Sequence, residues 1–346
     1  MEGPGARMAA EIAEQPELLA RVLADGLREA RAVAGVLAGR APRFVLLAAR
    51  GTSDHAALYA KYLVEIGLGL PCGLVSPSTF TVYGARPDLR DVLVIAVSQS
   101  GGSPDLVGTV GVARELGATT LAVTNRPGSP LADAAELHLD VRAGAELAVA
   151  ATKSYTAELL TLFLVLDAWA GGDGADARPV PDAAAQLVGR RAEVAALAQR
   201  YRFASRLVTT GRGYSYPTAR EAALKLMETS YVAAHAFSGA DLLHGPLALV
   251  DPQYPVLAVV PAGAGGEAME PVLGRILERG ADLLVLGTEP EPPAGARGFR
   301  LPGGVHERMH PVVDIIALQW LALEMAVGRG LDPDTPRSLA KVTETW

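Results

Sequence analysis

Twice along this chain, short all-apolar runs alternate with stretches of helical spacing. In the first set, runs at 44–49, 72–75, 92–97, 120–123 and 137–141 predict strands, and their apolar character suits a parallel sheet covered on both faces. A helix over about 151–170, carrying Leu159, Leu160, Leu162, Phe163, Leu164 and Leu166, closes the set. The second set opens with a helix near 183–203. Strands follow at 206–210 and 255–261, weaker ones near 282–287 and 298–301, and a long apolar helix from about 311 to 328. Ahead of both sets, Ile12, Leu18, Leu19, Val22, Leu23, Leu27 and Val33 sit near 3.6-residue spacing, so residues 8–40 read as helical with Pro16 at a break or start.

The two sets echo each other. Phe44–Ala49 runs into Arg50-Gly51-Thr52-Ser53, and Arg206–Thr210 runs towards Arg212-Gly213-Tyr214-Ser215. Strand, glycine turn, serine and small-residue helix thus recur about half a chain apart, and an internal echo sets architecture before any local reading. The expected fold is α/β, with two doubly wound parallel-sheet units in tandem. The implied division is an N-terminal helical segment 1–40, a first unit 41–171, a linker 172–186 marked by the breaker-rich stretch 171–179, a second unit 187–330 and a tail 331–346. The tail is polar, carries Pro333 and Pro336 and has no periodicity, so its pattern alone predicts a frayed end.

Composition narrows the class. The 346 residues suffice for two domains with separate cores, and a chain half apolar and one-fifth charged is ordinary for a globular enzyme. The formal charge of −7, with no Lys/Arg run, argues against a nucleic-acid partner. Cys72 is the only cysteine, which excludes an internal disulfide and argues against a thiolate metal cluster. No apolar run is read as reaching the ~20 residues of a membrane span. The start Met1-Glu2-Gly3-Pro4 lacks the order of a signal peptide, so the expected location is cytoplasmic.

Three hydroxyl-bearing loops carry the candidate chemistry. Ser53 lies after the first strand, and Ser98, Ser100 and Ser103 lie in Ser98-Gln99-Ser100-Gly101-Gly102-Ser103 after the third, where carboxyl ends of parallel strands meet helix starts. Amides and hydroxyls there suit an anion. With no P-loop and no dinucleotide fingerprint, a single phosphate monoester such as a sugar phosphate fits best. Glu221, Lys225 and Glu228 share one helix face, either a solvated face with an internal ion pair or the seat of a general base. His244 before Gly245-Pro246 is by itself more often structural than catalytic. His306 and His310 have i, i+4 spacing without a third ligand, and no metal is assigned to them. Lys341 is, by composition, an exposed lysine.

Together these elements resemble the sugar-isomerase (SIS) domain proteins, and in particular the isomerase half of glucosamine-6-phosphate synthase and the SIS-type glucosamine-6-phosphate deaminases. The resemblance runs through Glu11-Ile12-Ala13-Glu14-Gln15-Pro16, Arg50–Ser53, Ser98–Gly101, Thr124-Asn125, Glu146 with Ala151-Thr152-Lys153, Ala223–Tyr231, His244–Leu249 and Pro336–Thr343. It implies that Ser53, Ser98, Gln99, Ser100 and Ser103 hold the phosphate, with Gly51, Thr52, Glu146, Val149 and Ala340 completing the substrate-binding set. It further implies that Glu228 moves a proton between C1 and C2, that His244 opens the sugar ring from across a homodimer interface, and that Lys341 forms a Schiff base at C2. No metal or organic cofactor is implied, and no nucleic-acid or membrane partner.

Some positions depart from the synthase pattern. About 40 residues precede the first strand, so a glutaminase segment is not expected within this sequence. Gly102-Ser103-Pro104-Asp105, Arg50 and Lys341-Val342-Thr343-Glu344-Thr345 are more like the deaminase branch, while Ala151 and Met227 replace a Ser and a Lys usual in the synthase. The expectation is an isomerising deaminase of glucosamine 6-phosphate. A fructosamine 6-phosphate deglycase, a plain phosphosugar isomerase and a non-catalytic sugar-phosphate sensor are the alternatives.

Overall fold

A computed structural model describes residues 3–289 and 291–341. Its described strands form two five-stranded sheets, parallel throughout. The first sheet has β1 (Phe44–Ala48), β2 (Cys72–Leu74), β3 (Val92–Ser98), β4 (Thr119–Thr124) and β5 (Leu137–Asp140), ordered β2-β1-β3-β4-β5. The second has β6 (Arg206–Gly211), β7 (Ala233–Ser238), β8 (Pro255–Val260), β9 (Asp282–Gly287) and β10 (Arg297–Arg300), ordered β7-β6-β8-β9-β10. One topology is therefore repeated. In each sheet the order reverses between the first and third strands, and ligands of open α/β sheets bind at that reversal, outside the carboxyl ends.

The sequence pattern missed β7. Its Ala233-Ala234-His235-Ala236-Phe237-Ser238 holds no β-branched residue and leaves Ala233 and His235 exposed, as an edge strand can. The helix expected over 183–203 is two, Val180–Val188 and Arg191–Tyr201, broken at Gly189 and Arg190. The N-terminal stretch is likewise two helices, Ala6–Ala13 and Gln15–Arg40, with Pro16 in the first turn of the second, where its missing N–H is harmless.

Two compact units divide the described chain, each holding one sheet. The first comprises residues 17–146, 153–178 and 340–341; the second comprises 3–16, 147–152 and 179–339. Ala48, Ala96, Leu106, Val110, Ala122 and Leu131 form a core in the first, whose small side chains let helices approach the sheet closely. Val208, Val256, Met269, Ile276 and Leu283 are the corresponding core of the second, each large side chain contributing about 1.5–3 kcal/mol when fully buried. Cys72 is buried in β2, and burial pushes its thiol up to about 12, which leaves it unreactive.

The helix His310–Gly328 corrects one expectation. The stretch Glu307–Gly328 is long and apolar enough to cross a membrane, but 83% of its most apolar window is buried inside the protein. It is the central helix of its unit, and a helix buried on all sides is apolar on all sides.

The tail is not frayed where it is described. Asp332 accepts from the Gly5 N–H at 2.9 Å, and Asp334 accepts from Arg7 at 2.8 Å and Met8 at 2.9 Å. These carboxylates satisfy the unpaired donors at the start of helix Ala6–Ala13, which Gly5 cannot cap itself. Burial opposes the charge on Asp332, but the amides of Gly5 and Asp334 hold its carboxyl below the ordinary range. The Arg337 N–H donates to the Tyr231 hydroxyl at 2.8 Å, and its guanidinium lies 4.0 Å from the centre of that ring. Val342 to Trp346, with the end of the tail motif, lie outside the described residues.

Candidate active site

In the first unit, the reversal point brings the β1 and β3 loops together. Arg50 Nε and Nη2 reach Asp105 Oδ2 at 2.8 and 2.7 Å, tying one loop to the first turn of helix Pro104–Glu115. Gly51 precedes helix Thr52–Tyr62 at φ 56°, so the turn is one glycine favours, and Thr52 begins that helix. Ser53 is buried and donates to Glu158 at 2.9 Å, so its hydroxyl is engaged inside the unit.

The β3 loop is built differently. Ser98 Oγ accepts from the Gly101 N–H at 3.1 Å, and Ser100 Oγ accepts from Gly102 at 3.2 Å. Each hydroxyl used as an acceptor keeps its own proton to donate to an anion. Gly101 has φ 62°, and a Cβ there would stand 2.1 Å from Ser129 Oγ, so the tight loop requires glycine. Gln99 and Ser103 are half-buried, and Ser103 precedes the Pro104 helix without a side-chain bond to its first turn.

Glu146 and Lys341 meet in this same unit. Lys341 Nζ lies 2.7 Å from Glu146 Oε2. The Glu146 side chain is fully buried and also accepts from the Ser154 N–H at 3.1 Å and the Ser154 hydroxyl at 2.7 Å. Asn125 holds the backbone just before Glu146, donating to Gly144 O at 2.8 Å and accepting from Ala143 N at 2.7 Å. Ala340, in this unit, is exposed, and Val149, in the 147–152 stretch of the second unit, is half-buried.

The second unit holds the other candidates. On helix Ser215–Ser230, Lys225 Nζ stands 3.2 Å from Glu221 and 2.6 Å from Glu228. Lys225 is 1% exposed and the Glu221 side chain 0%, whereas Met227 is 42% exposed. The charged face is the buried one, so it is not a solvated face. Burial works against the Lys225 charge, but Glu221 and then Glu228 outweigh it and hold the ammonium above its ordinary range. Glu228, at 23% side-chain exposure, is the member of the trio that solvent and solutes can reach.

His244 is exposed at the end of helix Gly239–Leu243. His310 Nδ1 pairs with Asp314 at 2.9 Å inside the core, while His306 accepts from the Arg308 N–H, so the i, i+4 histidines serve separate local roles. At this unit's own reversal point, Glu307 accepts from the amides of Ala264 at 3.1 Å and Gly265 at 2.7 Å. A side-chain carboxylate thus takes up the loop amides after the third strand of this unit.

Glu158 and Glu307 escaped the sequence reading. Glu158 interrupts the apolar pattern of helix Lys153–Trp169, and such a break is the signal that could have found it. Glu307 gives no signal, because its partners lie more than 40 residues away.

The SIS domain model matches residues 41–167 and 201–329. A glutamine–fructose-6-phosphate aminotransferase (isomerizing) of Thermus thermophilus is 35% identical over 96% of this chain, which spans 58% of that relative. The chain thus covers little more than half the length of the curated relatives it matches. A Silicibacter pomeroyi crystal structure with a provisional phosphosugar isomerase name is 36% identical, with TM-score 0.81 and coverage of 95% of this chain and 99% of that one. The C-terminal domain of a Francisella tularensis glucosamine–fructose-6-phosphate aminotransferase is 28% identical, with TM-score 0.87 and coverage of 95% and 98%.

Proposed function

This chain belongs to the SIS domain family, and on that premise we propose that it is a phosphosugar isomerase, specifically an isomerising deaminase that converts glucosamine 6-phosphate and water to fructose 6-phosphate and ammonia. The observation that carries the reading is the Lys341 amine held 2.7 Å from the buried Glu146 carboxylate. On this reading the contact places the Lys341 ammonium and lets Glu146 take its proton, which frees the amine lone pair to act as nucleophile. The names of the Thermus and Francisella relatives support a hexose 6-phosphate as substrate.

In this proposal the hydroxyls of Ser98 and Ser100 and the adjoining loop amides hold the phosphate. His244 opens the ring, and Glu228 takes the proton from C2 and returns it to C1, leaving an imine at C2. The Lys341 amine adds to C2 and expels ammonia, and water then hydrolyses the enzyme-bound imine to release fructose 6-phosphate. Purified protein given glucosamine 6-phosphate is expected to release fructose 6-phosphate and ammonia in equal amounts. Failure to release ammonia from any hexosamine phosphate overturns the deaminase reading. The Silicibacter relative favours a second reading, aldose–ketose isomerisation without deamination, which product NMR on a phosphosugar panel distinguishes.

Ser98→Ala and Ser100→Ala each remove a hydrogen bond to a charged group, worth about 1.5–3 kcal/mol. The expected result is a rise in KM of about ten- to a hundredfold with kcat little changed. A wild-type KM in the double variant would move the phosphate elsewhere.

The reading includes a homodimer in which His244 of one copy serves the sugar of the other. The exposure of His244 beside Leu243, 38% exposed, and Leu249, 47% exposed, supports it. Mixing inactive His244→Ala and Lys341→Ala proteins is expected to restore part of the activity. No recovery after subunit exchange would mean that each copy is complete alone.

A further inference from the structure

Arg50 enters the account above only through its tie to Asp105, yet it is the cation of the β1 and β3 loops. Across residues 49–54 and 98–105 it is the one basic side chain, while Asp54 and Asp105 are acidic. Strand register fixes where it stands. Ala48 of β1 pairs with Ala96 of β3, so Arg50 and Ser98 each lie two residues past the same register pair, at the carboxyl edge of neighbouring strands. Neighbouring strands are about 4.8 Å apart, so one small anion can span the two loops.

The guanidinium is held along one edge. Arg50 Nε and Nη2 both reach Asp105 Oδ2, at 2.8 and 2.7 Å. These contacts engage two of its five N–H groups, and the other three have no partner among the described residues. The Arg50 side chain is 48% exposed, whereas that of Asp105 is 2%. Asp105 Oδ1 is buried without a partner among the described residues, so this carboxylate depends on Arg50 for a compensating charge. The space at the next residue is open: a Cβ built on Gly51 meets no atom within 4 Å. On the β3 loop, Ser98 and Ser100 keep their hydroxyl protons to donate.

Charge decides what this arrangement takes. A phosphate monoester carries about −1.5 to −2 at pH 7, and hydroxyls and amides alone do not balance it. Without Arg50 the remaining charges of the two loops, Asp54 and Asp105, are both negative. A guanidinium offers paired N–H groups that match phosphate oxygens, and one already pinned at an edge loses little freedom on binding.

We infer that Arg50 is a phosphate-binding and selectivity residue of the first unit: Asp105 holds one edge of its guanidinium, and the free edge takes the phosphate of the sugar. This rests on the phosphosugar reading above and adds the group that separates phosphorylated from unphosphorylated sugars. Losing hydrogen bonds between charged groups corresponds to about ten- to a hundredfold in binding.

The test is calorimetric titration of the full chain with fructose 6-phosphate, which reads binding without turnover, and with fructose as the control. Arg50→Met is expected to weaken fructose 6-phosphate about ten- to a hundredfold, and Arg50→Lys, which keeps the charge without the fork, to weaken it less. Added salt is expected to weaken the wild type more than Arg50→Met, because a half-exposed charge is screened. Titration with fructose is expected to give the same result for wild type and variants; a loss of equal size for both sugars overturns the inference. A tie between the loops alone predicts a lower melting temperature at an unaltered dissociation constant, and that result also overturns it. Where Arg50→Met does not fold because Asp105 is left unpaired, Arg50→Met combined with Asp105→Asn decides: wild-type affinity overturns the inference, and the expected loss supports it. A wild type that binds neither fructose 6-phosphate nor glucosamine 6-phosphate overturns the phosphosugar reading and this inference with it. A wild type that binds them, with Arg50 variants that bind equally well, overturns this inference alone.

Discussion

Lys341→Ala is expected to lower kcat by about a thousandfold or more, the scale on which removing a covalent nucleophile acts, while the protein stays folded. The side chain is 25% exposed and Ala340 beside it is exposed, so little packing is lost. Glu146 keeps its bonds to Ser154, which limits the penalty of leaving its buried charge without the ammonium. Conservation of fold can be checked by the melting temperature, expected to move by no more than a few degrees. A second readout is chemical. Borohydride added during turnover reduces an enzyme imine to a stable secondary amine, so a hexose phosphate is expected on the peptide containing Lys341. Mass spectrometry finding no adduct there, or a variant that still releases ammonia at near the wild-type rate, removes this lysine from the mechanism.

For Glu228→Gln the expected loss is about 10²–10⁴ in kcat, the range of a general acid–base group, with KM close to wild type. The substitution keeps shape and hydrogen bonding but removes the ability to take a proton. The pairing with Lys225 at 2.6 Å keeps Glu228 aimed, and the raised Lys225 ammonium stays charged across the neutral range, so Lys225 itself contributes no titration there. In heavy water the wild type is expected to place deuterium at C1 of the ketose product whenever the transferred proton exchanges with solvent. The variant should lose turnover and incorporation together. A kcat within tenfold of wild type would assign proton transfer to another group.

The strands were legible where burial on both faces forces unbroken apolar runs, as in Val92–Val97 and Leu283–Leu286. They were illegible at β7, because an edge strand buries little and Ala-rich sequence carries no period. Serine and glycine in the β3 loop pointed to an anion site by local chemistry alone, since amides at a helix start and neighbouring hydroxyls arise within a few residues of each other. Local spacing also put Glu221, Lys225 and Glu228 on one face. It could not say that this face turns inward, because burial depends on what packs against it.

What the sequence determined by itself was therefore the repeated α/β design and, through ordered motifs, the family. Tertiary structure alone decided which polar groups pair over long separations: Lys341 with Glu146, Ser53 with Glu158, Glu307 with the Ala264 and Gly265 amides, and Glu11 with the 147–148 backbone. The physical reason is one of range. Propensity and periodicity act within a turn or a strand, whereas a buried charge must find its partner wherever the fold brings one, because leaving it unpaired in a dry interior costs several kcal/mol.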